Sequence, residues 1–249
     1  MSAIEVRVEE AVALLTLNRP EKRNAINEEM RAELVSACAR FDAEAAIRVV
    51  VLTGAGTAFC AGGDLSASAA PDPRRPRVID PLDRFAKPLI AAINGLAFGG
   101  GLELALACDL RIAAHGARFA LPEVRIGSIP GSGGTQRLAA VVGPSLAAHM
   151  ILTGEPIDAE QALAAGLVSQ LCAPNGLLDT AMAHARTIAR NAPLAVVAAK
   201  RALRLAAGTH VAENLDFERA LFNEIALTED RNEGRRAFRE KRQPAFKGK

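Results

Sequence analysis

Three consecutive glycines run directly into an apolar segment that carries one carboxylate, and this is the strongest sign of chemistry in the chain. The segment extends from Gly99 to Cys108, with Glu103 as its only acid. Glycines allow close backbone approach and positive φ, and a helix start presents unpaired N–H groups with a partial positive charge. Such a turn can stabilise a developing oxyanion. Because burying a carboxylate without partners is costly, Glu103 is either paired structurally or takes part in a reaction.

A second glycine turn and a second acid extend this pattern. Gly62 and Gly63 follow a short strand-like segment, and Glu123 follows Pro122. Two N–H groups can polarise a carbonyl and hold charge on its oxygen, at about 2.7–4 kcal/mol per donor. Two adjacent carboxyl groups divide into an acid and a base, because both cannot ionise cheaply in a dry site. Taken singly, each glycine cluster is more typical of a turn, and each glutamate of an ion pair or a surface turn.

Length, composition and charge exclude several classes of protein. The chain has 249 residues, of which 50% are hydrophobic, so it can bury a large core. A net charge of +2 argues against nucleic acid or an anionic membrane as the main partner. Its four scattered cysteines suggest neither a disulfide framework nor a metal site. No signal segment follows Met1, and we expect a cytoplasmic protein.

The hydrophobic pattern predicts an α/β domain followed by a helical region. Strands are predicted at 6–9, 11–17, 49–53, 89–93, 110–113 and 118–120, and helices at 27–42 and about 100–108. A proline-rich surface loop is predicted from Asp64 to about Pro81. From Leu177 onward the pattern is almost entirely helical, with an interruption at Pro193. We therefore divide the chain into a core at 1–190 and a C-terminal helical region at 191–249.

Several motifs together resemble those of the crotonase superfamily, and most closely those of enoyl-CoA hydratases. They are Leu17-Asn18-Arg19-Pro20 with Asn24-Ala25, Phe59-x-Ala61-Gly62-Gly63-Asp64, Asn94-Gly95-x-Ala97-x-Gly99-Gly100-Gly101-x-Glu103, Pro122-Glu123 and Ile129-Pro130-Gly131-x-Gly133-Gly134. The resemblance covers essentially the whole chain. It implies a spiral of repeated β-β-α units whose C-terminal helical region builds homotrimers, usually stacked as hexamers.

The resemblance also implies a set of catalytic roles. Gly63 and Gly100 would donate their amides to the thioester carbonyl of a 2-enoyl-CoA. Glu103 would act as the base that activates water, and Glu123 as the acid that protonates C2. The expected reaction is reversible syn hydration to a 3-hydroxyacyl-CoA, as in fatty acid metabolism. No metal or redox cofactor is expected, because the CoA thioester itself is the electron sink.

By the same resemblance, coenzyme A would lie along two segments of backbone, 22–25 and 61–65. The residues implied in CoA and substrate binding are Lys22, Arg23, Ala25, Ala61, Gly62, Asp64, Leu65, Phe98, Gly99 and Gly131. Lys241 or Lys247, from the same or a neighbouring subunit, could meet the CoA phosphates. Leu96, Phe98 and the proline-rich loop are expected to shape the pocket for the acyl tail.

Three other functions stay open at the level of sequence. An enoyl-CoA isomerase of the same superfamily commonly needs only one acid, so the presence of Glu103 beside Glu123 disfavours it. An RNA-binding relative is disfavoured by the low net charge and by the lack of tyrosine and tryptophan for stacking bases. A CoA-binding relative without activity is disfavoured by the intact motifs.

Overall fold

Two sheets share the strands of the chain. The computed structural model describes residues 2–66, 76–206 and 211–245. The larger sheet has six strands in the order β1-β2-β3-β5-β7-β10, and the smaller has four in the order β4-β6-β8-β9. The strands are β1 Ile4–Glu9, β2 Val12–Leu17, β3 Val49–Gly54, β4 Ala58–Cys60, β5 Leu89–Ile93, β6 Leu96–Phe98, β7 Leu110–Ala114, β8 Arg118–Ala120, β9 Ile157–Asp158 and β10 Gln170–Cys172.

The helices surround these sheets and dominate the C-terminal part of the chain. They are α1 Glu28–Ala43, α2 Asp80–Asp83, α3 Gly100–Ala107, α4 Gly134–Val142, α5 Pro144–Thr153, α6 Ala159–Ala164, α7 Leu177–Ala189, α8 Pro193–Ala206, α9 Val211–Ala226 and α10 Glu229–Glu240. Short 3₁₀ helices lie at Pro20–Lys22, Glu123–Ile126 and Pro174–Gly176. Among the helices of the described ranges, none has the length and apolar character needed to cross a membrane.

The chain winds as a spiral because successive strands alternate between the sheets. β3, β5 and β7 are neighbours in the larger sheet, and the strands that follow each of them, β4, β6 and β8, are neighbours in the smaller one. All of these neighbours pair in parallel, whereas β1–β2 and β8–β9 pair antiparallel. The predicted spiral of β-β-α units is therefore confirmed.

The strongest sequence patterns predicted their elements correctly. α1 is capped by the Asn27 side chain and buries Met30, Leu34, Cys38 and Phe41, the residues of its predicted apolar stripe. β3 is buried at every position, as its unbroken run of apolar residues indicated. Both elements pack into the main hydrophobic core, and a second cluster lies between the larger sheet and α7.

Other predictions need correction. The loop predicted to reach Pro81 gives way to α2 at Asp80, and Pro193 begins α8, where proline suits the first helical turn. β6, β9 and β10 were not predicted. Residues 67–75 of the predicted loop lie outside the described residues. The division at residue 190 stays a prediction, although three helices follow it.

Two asparagines, the buried Asn24 and the half-buried Asn94, hold the turn between β3 and β4 in place. Asn24 donates from Nδ2 to the carbonyls of Ala55 (2.9 Å) and Ala58 (2.8 Å), and its Oδ1 accepts from the Arg19 amide at 2.9 Å. Asn94 donates to the carbonyls of Gly54 and Gly56, both at 2.9 Å. Asn24 is fully buried and has a φ of +56°, a left-handed conformation that asparagine tolerates. This turn leads directly into β4.

We expect Asn24→Ala to lower the free energy of unfolding by about 3 kcal/mol, because it removes three hydrogen bonds of a buried side chain and puts alanine in a left-handed conformation. Urea denaturation measures the change. Asn191→Ala, at an exposed position, is the control and should change stability by no more than about 0.5 kcal/mol. Equal stabilities for the two variants would contradict the role of Asn24.

Candidate active site

Three parallel strands of the smaller sheet deliver the predicted site residues to one edge. β4 ends before Gly62 and Gly63, β6 ends before Gly99 and Gly100, and β8 ends three residues before Glu123. Because these strands are neighbours and run in parallel, their carboxyl ends meet at the same edge. The Gly99 amide donates to the Ala120 carbonyl at 2.9 Å, which ties the second turn to the third strand. The fold therefore brings the glycine turns and the acid together.

Gly63 and Gly100 present neighbouring backbone amides. Gly63 forms a parallel bridge with Ile26 that uses the Gly62 carbonyl and the Asp64 amide, which leaves the Gly63 N–H outside the bridge. Gly100 is the first residue of α3, so its N–H has no acceptor within the helix. A Cβ placed on Gly100 would lie 3.8 Å from the Gly63 nitrogen. The two amides are therefore close together, as the predicted oxyanion site requires.

Glu103 lies in the first turn of α3 and is 4% exposed. Its Oε1 accepts hydrogen bonds from the amides of Ser132 (2.7 Å) and Gly134 (2.9 Å) at the start of α4. A Cβ on Gly134 would approach Glu103 Oε1 to 3.0 Å and Pro130 Cβ to 2.7 Å, so the close contact requires glycine there. The two amides orient the carboxyl group and favour its ionised form.

Glu218 on α9 is a second buried carboxylate at the same turn, and sequence reasoning missed it. Its Oε1 accepts from the Gly133 amide at 2.5 Å, and its Oε2 accepts from the Thr135 amide at 2.9 Å and from the Thr135 hydroxyl. The amides of four consecutive residues thus alternate between Glu103 and Glu218. The available signal was the spacing of Leu215, Glu218 and Phe222, which places an acid on an otherwise apolar helix face.

Glu123 completes the set and has fewer partners. Its Oε2 is buried and has no hydrogen-bond partner among the described residues. A Cβ on Gly99 would lie 2.9 Å from Glu123 Oε1, and Gly99 has a φ of +52°, so both space and backbone conformation require glycine. Glu123 therefore packs directly against the glycine turn that precedes Gly100.

Both predicted catalytic acids have raised pKa values. Burial raises the pKa of Glu103 to about 7, with a further contribution from the charge of Glu218, while the amides of Ser132 and Gly134 act in the opposite direction. Burial raises the pKa of Glu123 to about 8, and the charge of Glu103 contributes to this increase. Since only its own amide acts in the opposite direction, Glu123 is the member of the pair that keeps its proton more readily.

The raised pKa of Glu123 predicts a pH-dependent stability. In the unfolded chain this group ionises near its ordinary value of 4.5, whereas the folded protein holds the proton to about pH 8. The folded state therefore binds more protons between these values, and its stability falls as pH rises from 5 to 8. Glu123→Gln removes this contribution, so its stability relative to the wild type should increase from pH 5 to pH 8 in urea titrations.

Glu21→Gln, at an exposed position, is the control for that experiment and should follow the wild-type curve. If Glu123→Gln also stays parallel to the wild type between pH 5 and pH 8, the folded-state pKa of Glu123 is not raised.

The two segments implied in CoA binding lie side by side. The Ala61 amide donates to the Arg23 carbonyl at 3.0 Å, and the Ile26 amide donates to the Gly62 carbonyl at 2.8 Å. Lys22 and Arg23 are exposed, and Ala25 is half-buried. Asp64 forms an ion pair with Arg19 at 3.0 Å, which gives it a structural role in joining the segments. The segments 22–25 and 61–65 together form a continuous strip that includes Gly63.

A cavity of about 800 Å³ lies beyond this strip, between Leu65 and α10. Its lining includes Arg235, Arg236, Arg239 and Arg242. Lys241 caps the end of α10 in a left-handed conformation, and Lys247 lies outside the described residues. The remaining predicted residues, Phe98 and Gly131, flank the glycine turn and the amides that bind Glu103; Gly131 packs against the Phe222 ring.

Comparison with known proteins decides the family. The family model described as Enoyl-CoA hydratase/isomerase matches residues 7–249. The chain belongs to this family. The 2,3-dehydroadipyl-CoA hydratase of Escherichia coli (strain K12) is 46% identical over 255 residues, with 100% of both chains covered. The mitochondrial enoyl-CoA hydratase of Pongo abelii is 43% identical over 242 residues, covering 95% of this chain and 83% of the relative.

The solved structures agree with this assignment. The crystal structure of an enoyl-CoA hydratase/isomerase from Pseudoalteromonas atlantica T6c matches with a TM-score of 0.92 at 32% identity, and covers 98% of this chain and 100% of that chain. The family and the crotonase-like fold expected from the motifs are thereby confirmed.

Proposed function

We propose that this protein is an enoyl-CoA hydratase that adds water reversibly to a trans-2-enoyl-CoA. The Gly63 and Gly100 amides bind the thioester oxygen and stabilise the enolate-like transition state. Polarisation of the carbonyl makes C3 electrophilic, so that water held between Glu103 and Glu123 adds across the double bond. The product is a 3-hydroxyacyl-CoA.

The environments of the two acids support different roles for them. Glu103 accepts two amide hydrogen bonds, which favour its carboxylate form, so it takes the proton of the attacking water. Glu123 has a buried Oε2 without a partner, which favours its protonated form, so it delivers a proton to C2. The hydroxyl oxygen comes from water, and no metal or redox cofactor is needed in this scheme.

One observation carries the proposal. The two glycine amides and the two carboxyl groups come from adjacent turns at one sheet edge, where a CoA thioester can meet all of them. The strip formed by 22–25 and 61–65 supplies backbone groups for the pantetheine and adenine parts. Arg235 and Arg239 of α10 are suitably charged for the CoA phosphates, whereas Arg236 and Arg242 pair with Glu233.

The reaction is tested with crotonyl-CoA as substrate. Its hydration is measured as the loss of conjugated-thioester absorbance. We expect Glu103→Gln and Glu123→Gln each to lower kcat by about 100-fold or more, because each removes a proton-transfer group. Glu160→Gln, on the exposed start of α6, is the control and should retain wild-type activity. Mass spectrometry after reaction in ¹⁸O-water should show one labelled oxygen in the product.

Two outcomes would contradict the proposal. If both glutamine variants hydrate the substrate at the wild-type rate, Glu103 and Glu123 are not the base and the acid of the reaction. Migration of the double bond in a 3-enoyl-CoA without uptake of labelled oxygen from water would instead identify an isomerase.

We also propose that the chain forms homotrimers, which the resemblance implies are usually stacked as hexamers. Large apolar side chains are exposed in the C-terminal region. They include Leu194, Leu203, Phe217, Leu227 and Phe238, each more than half exposed. Exposed apolar surface of this kind is typical of subunit interfaces.

Light scattering during gel filtration tests this assembly. The expected mass is three or six times that of one chain. A single-chain mass at micromolar concentration would contradict the proposal.

A further inference from the structure

Three half-buried arginines from different parts of the chain meet beside Glu103. They are Arg31 on α1, Arg77 just before α2 and Arg219 on α9, and we call them the arginine cluster. The side chains of Arg31 and Arg77 are 24% and 21% exposed. None of them has a role in the hydration scheme, so their convergence at this position requires a separate explanation.

Several contacts locate the arginine cluster in the fold. Arg31 donates from Nη1 to the Pro76 carbonyl at 3.4 Å, which places it next to Arg77. The Arg219 guanidinium lies over the Phe222 ring, 5.5 Å from its centre. That ring packs against Gly131, directly before the Ser132 amide that binds Glu103. The cluster therefore borders the end of the site where Glu103 lies.

The hydrogen-bonding capacity of the cluster is incompletely used. Arg77 donates from Nε to Asp80 at 2.9 Å, but its buried Nη1 has no hydrogen-bond acceptor, and neither has the buried Arg31 Nε. Arg77 Nη1 lies 3.7 Å from Asp216 Oδ1, and Arg31 Nε lies 3.9 Å from Glu28 Oε1, and both of these acidic side chains are largely exposed. Buried donors without a hydrogen-bond acceptor are destabilising.

The pKa values of Arg31 and Arg219 also indicate that the cluster is close to Glu103. Burial lowers the pKa of Arg31, and so does the positive charge of Arg219; Glu103 and Asp80 act in the opposite direction. Burial likewise lowers the pKa of Arg219, with a contribution from Arg77. Since guanidinium groups remain charged in proteins, the cluster holds repelling cations within electrostatic range of Glu103. An added anion would relieve this repulsion.

We propose that the arginine cluster binds a carboxylate at the far end of the acyl chain, so that the preferred substrate is a 2-enoyl-CoA of a dicarboxylic acid. This inference rests on the proposed hydratase function. The thioester carbonyl is bound at Gly63 and Gly100, C3 lies against Glu103, and the chain beyond C3 continues toward the cluster. Guanidinium groups suit a carboxylate because their parallel N–H groups match its two oxygens.

A pair of substrates of equal length tests the proposal. One is trans-2-hexenoyl-CoA, and the other is the same six-carbon enoyl-CoA with a carboxylate in place of the terminal methyl group. We expect wild-type kcat/KM to be at least tenfold higher for the carboxylate substrate. The ratio of the two kcat/KM values is the readout, because misfolding or loss of active protein cancels from it.

Substitutions in the arginine cluster test whether it causes the preference for the carboxylate substrate. Arg31→Met and Arg77→Met should each reduce the ratio by about tenfold, and the double variant should reverse the preference. Arg40→Met is the matched control on α1, because Arg40 lies over Phe41 and pairs with Glu44 away from the cluster; its ratio should equal that of the wild type.

The possible failures can be told apart. If neither substrate is hydrated, the proposed function itself is wrong. If both are hydrated but hexenoyl-CoA is preferred, or if the cluster variants leave the ratio unchanged, the carboxylate site is wrong. If the variants raise KM for both substrates equally and weaken binding of free CoA, the cluster binds a CoA phosphate, which also overturns the inference.

Discussion

The burial of two carboxylates on one short turn is the constraint on which the site depends. Glu103 and Glu218 approach the segment 132–135 from different helices, and its four amides alternate between them. Each carboxylate gains donors that offset its loss of water, and the charge of Glu218 raises the cost of a charge on Glu103. The turn thereby holds Glu103 in place while keeping its pKa near neutrality, where a general base is effective. Through Glu218, α9 thus helps to position Glu103 without contacting the reacting atoms.

The smaller sheet brings together site residues that are far apart in the sequence. Gly63, Gly100 and Glu123 each follow a strand of three residues, and the parallel pairing of those strands fixes the turns relative to one another. Glycine is required where the turns touch. A Cβ on Gly62 would lie 2.9 Å from the Phe98 carbonyl, and one on Gly101 would lie 2.2 Å from the Cys60 carbonyl. The glycine motifs therefore reflect contact between turns as well as chemistry.

The sequence allowed the fold and most of the site to be predicted, for reasons that differ between residues. α1 has a clear helical periodicity, β3 has an unbroken apolar run, and the glycine turns and glutamates occur in motifs that resemble a known family. β9 and β10 are two and three residues long, too short to show a period, and their strand conformation depends on partners in the sheets. Glu218 was missed because its role exists only when α9 packs on the start of α4. The proximity of Arg31 and Arg77 could not be predicted either, because the two residues are 46 positions apart in the sequence.

The arginine cluster and the acids also interact through charge. Burial lowers the pKa values of Arg31 and Arg219, and the attraction between these guanidinium groups and Glu103, which acts in the opposite direction, also favours the ionised form of Glu103. A substrate carboxylate bound at the cluster would neutralise part of that positive charge and weaken the stabilisation of the Glu103 carboxylate. Glu103 would then be a stronger base when the substrate is in place than in the free enzyme. Recognition of the far end of the acyl chain and activation of water at C3 are, in this scheme, linked by electrostatics rather than by movement of the chain.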